Sequence, residues 1–194
     1  MFARTERLLL RPSWIEDAEA LHLAVADADI VRNLAQAPWP YTMDDAREFA
    51  ATPQSATHPH FFLFRRTDGA PRLVGCAGLT KDGDETEIGY WIARPYWGLG
   101  YASEAARAVI AIARAIGHRQ LMGAHFTDNP ASARVLQKTG FRSTGHIKMR
   151  HSKGRGHAAP CVVYLRSLAD DDAGENNRDI IPMRMPYDAQ LIAA

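Results

Sequence analysis

Between Thr86 and Gly117 the chain reads Glu87-Ile88-Gly89-Tyr90-Trp91-Ile92-Ala93-Arg94-Pro95-Tyr96-Trp97-Gly98-Leu99-Gly100-Tyr101-Ala102-Ser103-Glu104-Ala105 and then continues rich in Ala and Ile. An apolar strand runs into a bend carrying two glycines, and a helix starts at once. Small residues let backbone approach a ligand closely, and the N–H groups of about Leu99 to Ser103 point outward together, since a first helical turn has no intrahelical acceptor for them. Such a turn binds anions, at about 0.3–1 kcal/mol per charge and up to about 2 when partly buried. A diphosphate is the natural guest. Taken alone, the glycines also fit a tight connection with no ligand. Neither common nucleotide signature matches: no Gly-Lys-Ser/Thr follows, and the third glycine of a dinucleotide fingerprint falls at Ser103.

Working outward, Thr86–Ala93 closes an antiparallel meander with Phe61–Arg66 and Arg72–Lys81. Asp68-Gly69 and Asp82-Gly83 stand between the apolar runs as hairpin signals. The helix after the bend spans about Ser103 to Ile116, with Gly117 as its stop. Gln120–Thr127 is the next strand, and the intervening helix makes it parallel to Thr86–Ala93. Asn129-Pro130 opens another helix, Asn as N-cap and Pro at the first position, closed by Gly140. Strands at about Phe141–Met149 and Pro160–Leu168 follow. Upstream, Leu8-Leu9-Leu10 is a short strand, and Asp17 to about Leu34 has apolar residues at helical spacing. Thr42 caps a second helix, with Asp44, Asp45 and Glu48 placed to favour its N-terminus. The order predicts an α+β fold: a mixed, largely antiparallel sheet with one parallel pair.

The 194 residues are 46% hydrophobic and 23% charged, with 23 Lys+Arg against 22 Asp+Glu. A chain of this length buries roughly 70% of its unfolded surface, enough for one core without staples. Residues 1–168 are expected to form one domain, and residues 169–194 an acidic linker and tail whose apolar clusters suggest dimer contacts. No apolar run nears the ~20 residues of a membrane span, and Met1–Arg7 lacks a signal-peptide stretch. Two cysteines, Cys76 and Cys161, fit a reducing cytoplasm better than a disulfide framework. A net charge of +1 argues against broad nucleic-acid binding.

Three segments together resemble the GNAT superfamily of acyl-CoA-dependent N-acetyltransferases: Gly89–Ile92, Trp97–Ala105 and Asn129–Phe141. The RimJ/RimL-like branch of ribosomal-protein N-acetyltransferases is the nearest in pattern, and Thr5–Arg11 fits it as well. The likeness covers roughly residues 3 to 168. It implies acetyl-CoA as cosubstrate, with its phosphates on the amides of Leu99, Gly100, Tyr101, Ala102 and Ser103. It further implies that the parallel pair splays, that pantetheine pairs with backbone near Ile92 and Ala93, and that Asn129 bonds the same arm. Leu99 stands where the family often has lysine, so a weaker coenzyme grip is expected.

Acetyl transfer to an amine needs a neutral nucleophile, a stabilised oxyanion and a protonated leaving thiolate. A lysine acceptor costs about 4.6 kcal/mol to deprotonate at pH 7, whereas an α-amine near pKa 8 is already partly neutral. Glu87 is the base candidate, because alternation puts it on one strand face with Gly89 and Trp91; a salt-bridged strand residue is the alternative. The resemblance points to Ser132 as the acid, since Leu136 stands where many relatives have a tyrosine, and Ser132 also fits a plain capping role. Ala124 stands where some relatives carry a glutamate. His125 is a further base candidate, and Cys76 fits the core. Trp39, Tyr41 and Trp91 are candidates to border the acceptor. The basic run from His146 to His157 is expected as a solvated loop between the last two strands, with RNA or the coenzyme 3′-phosphate as other takers. No set of residues has metal-ligand spacing. The expected function is acetyl transfer from acetyl-CoA to a primary amine, on a protein N-terminus or a small molecule, by direct attack in a ternary complex. A catalytically silent acyl-CoA sensor and a nucleotide-binding module are the competing readings.

Overall fold

A computed structural model describes residues 1–66, 69–169 and 181–182. Its strands are β1 (Ala3–Arg4), β2 (Leu8–Arg11), β3 (His60–Arg65), β4 (Arg72–Asp82), β5 (Glu85–Ile92), β6 (Gln120–Phe126), β7 (Arg142–Ser152), β8 (His157–Ser167) and β9 (Ile181–Pro182). The helices are α1 (Ala18–Val25), α2 (Ala28–Val31), α3 (Met43–Ala50), α4 (Tyr101–Ala115) and α5 (Pro130–Lys138). The described strands form one sheet in the order β7-β8-β6-β5-β4-β3-β2-β1-β9. Only β5 and β6 are parallel within it, and the remaining pairs are antiparallel. The fold is therefore α+β, as the element order predicts.

Alternation along the strands builds two cores. Phe61 and Leu63 point to one face of the sheet and pack under α4 with Ala105, Ala106, Val109 and Ala113. Phe62 and Phe64 point to the other and meet Leu21, Val25, Ile30, Val31 and Ala46 of α1, α2 and α3. Alanine on the buried side of α4 lets that helix lie close against the strands. Gly123 does the same for α5, since a Cβ there would stand 2.6 Å from a methyl of Leu136.

The β4–β5 ladder runs in register from Gly75↔Ile92 to Asp82↔Glu85, whereas β5 and β6 share a single registered pair, Glu87↔Met122. Beyond Glu87 the parallel strands part, and the glycine bend lies at the open end of that gap.

Three expectations need correction. The helix read over Asp17–Leu34 is broken: Ala26 leaves helical geometry (φ −72°, ψ 59°), and the Asp27 carboxylate accepts the N–H of Asp29 to cap α2 afresh. A side chain that periodicity reads as solvent-facing is an N-cap. The basic run His146–His157 is a hairpin, not a loop, with only 153–156 as its turn. Its tip is docked: Ser152 Oγ donates to Leu34 O (2.8 Å), Lys153 N to Ala35 O (2.9 Å), and Gly154 lies against Val31. The hairpin thus curls over the α1–α3 face. Finally, α4 starts two residues earlier than expected, at Tyr101. The Thr42 cap is as expected, completed by Asp45 in a reciprocal capping box. Asp68 of the first hairpin signal lies outside the described residues, as do 170–180 and 183–194 of the tail, while Ile181–Pro182 pairs with Ala3–Arg4.

Candidate active site

The first part of the site is the glycine bend. Gly98 (φ 77°) and Gly100 (φ 83°) occupy left-handed conformations that L-residues adopt at a cost of about 1–2 kcal/mol. A Cβ on Gly98 would meet nothing within 4 Å, so the bend faces open space. Gly100 is the N-cap of α4 and has no side chain to accept from the first turn; the first intrahelical bond is Glu104 N to Gly100 O. The N–H groups of Tyr101, Ala102 and Ser103 therefore have no acceptor inside the helix. Arg7 braces the bend from beneath: its guanidinium donates to Leu99 O (2.9 Å) and to the Glu104 carboxylate (2.7 Å), and it covers the Tyr101 ring at 4.6 Å. Burial pushes the Glu104 carboxyl up, but hydrogen bonds from Thr5 and Arg7 outweigh it and hold the group below the ordinary carboxylate range. A row of unpaired amides beside open space fits a diphosphate.

Along the gap, the two expected backbone contacts differ. Ala93 N–H donates to Val74 O (2.8 Å) and is directed into the β4 side. By alternation the polar groups of Ile92 face the gap. The Ile92 carbonyl there accepts the indole N–H of Trp97 at 2.6 Å. Asn129 caps α5, its Oδ1 accepting from Ser132 N (3.2 Å). The cap of α5 is therefore Asn129, which leaves the Ser132 hydroxyl free for another partner. That partner is Tyr90: its Oη lies 3.0 Å from Ser132 Oγ and donates to Ser132 O at 3.2 Å. Burial pushes the Tyr90 hydroxyl up to about 12, so it stays protonated at neutral pH. Tyr90 was not singled out from sequence, although strand period 2 puts it with Ile88 and Ile92, opposite Glu87.

On the other face, Glu87 is 8% exposed and both its oxygens accept from Arg150 of β7, each at 2.6 Å. Asp82 accepts from Arg150 (3.0 Å) and from Lys148 (2.7 Å). Nothing in the sequence ties Glu87 to a residue 63 positions later. Gly89, the next residue on the same strand face, would meet nothing within 4 Å if given a Cβ. Trp91 packs on the helical core, and Tyr41 is buried within it, while Trp39 is 48% exposed. Arg155 in the hairpin turn holds Asp128 through its two terminal guanidinium nitrogens (2.9 and 2.7 Å) beside Asn129. His125 is buried on the α5 side against Tyr164; its Nδ1 donates to Phe126 O (2.8 Å), and its Nε2 has no partner among the described residues. Cys76 and Cys161 are buried free thiols, and Cys76 lies in the helical core as expected.

A mixed sheet thus has one parallel pair that opens beside a helix N-terminus with no side-chain cap. Residues 7–142 match the family model for the acetyltransferase (GNAT) domain. The chain is 31% identical over 153 residues to the "Uncharacterized N-acetyltransferase YoaA" of Bacillus subtilis (strain 168), covering 74% of this chain and 84% of that protein. Among solved structures it is similar to a GNAT-family acetyltransferase from Bacillus anthracis (27% identity, TM-score 0.73, 86% of this chain and 98% of that one). It shares its fold with RimL, the ribosomal L7/L12 alpha-N-protein acetyltransferase, solved with coenzyme A (20% identity, TM-score 0.70, 84% and 95% covered). The chain belongs to the GNAT family of acetyltransferases.

Proposed function

We propose that this enzyme moves the acetyl group of acetyl-CoA to a primary amine by direct attack in a ternary complex, in the cytoplasm, with residues 1–168 as the catalytic unit. The observation that carries the proposal is the row of unpaired amides at Tyr101, Ala102 and Ser103, set at the mouth of the gap where β5 leaves β6. There the amides of Leu99 to Ser103 hold the diphosphate, and pantetheine enters the gap along Ile92, where Trp97 gives up the carbonyl it caps. Asn129 Nδ2 donates to the same arm.

The two sides of the gap divide the chemistry. The acceptor comes in over Gly89, between Trp91 and the hairpin, with Trp39 at the rim. It arrives as an ammonium, and Glu87 takes one proton, directly or through water. The nitrogen then bonds to the thioester carbon, the C–S bond breaks with its electron pair on sulfur, and the nitrogen sheds its second proton as the amide forms. Ser132 hands a proton to the sulfur and regains the one the nitrogen sheds, Glu87 returns its own to solvent, and Tyr90 holds the Ser132 hydroxyl in place on the coenzyme side. The net products are the acetamide, coenzyme A and one proton released to solvent. General acid–base steps of this kind contribute about 10²–10⁴-fold each.

The test is free-thiol release over a panel of α-amines, lysine peptides and small amines, with thermal shifts by acetyl-CoA, ATP and NAD in parallel. Stabilisation by acetyl-CoA with thiol release on at least one amine is expected. Stabilisation by ATP or NAD and not by acetyl-CoA overturns the proposal.

A further inference from the structure

The second face holds an ion pair that acetyl transfer cannot leave as it stands. Both oxygens of Glu87 are engaged by the Arg150 guanidinium, and the two side chains are 11% and 20% exposed. Withdrawing one partner from a pair this sheltered leaves the other charge desolvated and uncompensated, which is the costly way to open it. Arg150 has no generous second partner. Asp82 stands at 3.0 Å and is already shared with Lys148 at 2.7 Å. A bare amine that drew Glu87 away would leave Arg150 with that single shared contact.

We propose that Arg150 selects the acceptor: the site takes an amine with a carboxylate on the adjacent carbon, a free α-amino acid. This rests on Glu87 being the group that receives the ammonium proton. The acceptor's carboxylate replaces Glu87 on the Arg150 fork, and its ammonium replaces Arg150 on Glu87. One internal ion pair becomes two intermolecular ones, and no buried charge is left without a counterion. A planar guanidinium suits this exchange because it binds any carboxylate through two parallel N–H bonds. There is room for the exchange: the space over Gly89, two residues along the same strand face from Glu87, is open. Several other charged groups are paired with each other, Arg94 with Asp27 and Asp29, and Arg32 and Arg155 with Asp128. None of those pairs contains Glu87.

The experiment measures kcat/KM by thiol release for the twenty free α-amino acids, their α-carboxamides and the matching decarboxylated amines. It uses wild type, Arg150→Gln and Arg150→Lys, each checked by thermal melting and acetyl-CoA binding. In wild type the best amino acid should exceed its carboxamide and amine by about tenfold or more, the order set by one charge-assisted contact. In Arg150→Gln that ratio should collapse toward one, because the amino acids lose the contact that sets them apart. Arg150→Lys should restore part of the ratio. Equal or better turnover of carboxamides or amines by wild type overturns the inference and leaves the transferase proposal standing. A uniform loss across all three classes in both variants also overturns it, since that is the mark of a merely structural pair. Should no acceptor of any class release thiol despite acetyl-CoA binding, the inference falls together with the proposed transfer.

Discussion

The proposed coenzyme side and the proposed acceptor side of this molecule are built from different materials. At the bend between Trp97 and Ser103 the working groups are main-chain amides, set by two left-handed glycines and one helix start within seven residues. On the opposite face the working groups are side chains brought from distant strands: Glu87 from β5, Asp82 from β4, and Lys148 and Arg150 from β7. A backbone site depends on local conformation and tolerates changes in side chains, so it can be kept while the acceptor face is rebuilt.

Substitutions can break or sharpen that contrast. The largest effect is expected on the side-chain face: Glu87→Gln should lower kcat by about 10²–10⁴-fold while leaving coenzyme A affinity by calorimetry unchanged. A parallel loss of coenzyme affinity would show that the two sides are not separable. On the backbone side, Gly100→Ala forces a Cβ into φ 83°. At about 1–2 kcal/mol of strain, coenzyme A should bind about 5- to 30-fold more weakly, as read by calorimetry. Arg7→Ala removes the bond to Leu99 O and the ion pair with Glu104. A rise in acetyl-CoA KM of about 3- to 10-fold with kcat unchanged is expected, visible in steady-state thiol release.

The smallest effect is on pH-dependent stability. Glu104 and Asp128 are held below the ordinary carboxylate range, Asp128 chiefly by the Arg155 hydrogen bond. A carboxyl depressed in the folded state stabilises fully above its unfolded value, about 4, and that stability is lost as pH falls through the lower folded value. Urea melts from pH 5 to 3 should show stability falling with pH, and Asp128→Asn should flatten the slope.

What sequence reveals follows the same division. The bend, both of its flanking elements and the Asn129-Pro130 helix start are legible because each is a local conformational demand met by neighbouring residues. The parallel pair is legible because a helix must cross between its strands. The Glu87–Arg150 pair is not, because the hairpin carrying Arg150 looks like an uncompensated basic run until Asp82, Glu87 and Asp128 are brought beside it by the fold. Tyr90 hides for another reason: an aromatic in an apolar strand signals core, and only the position of Ser132 on α5 turns its hydroxyl into a partner. The broken helix at Ala26–Asp27 hides because an N-cap and a solvent-facing acid look alike in a periodic pattern.

Amide hydrogen exchange with and without acetyl-CoA reads the bend itself, residue by residue. If the diphosphate sits on these amides, exchange slows at Leu99–Ser103 and along the strand beside them. Unchanged amides there, with protection arising elsewhere in the chain, would contradict that placement.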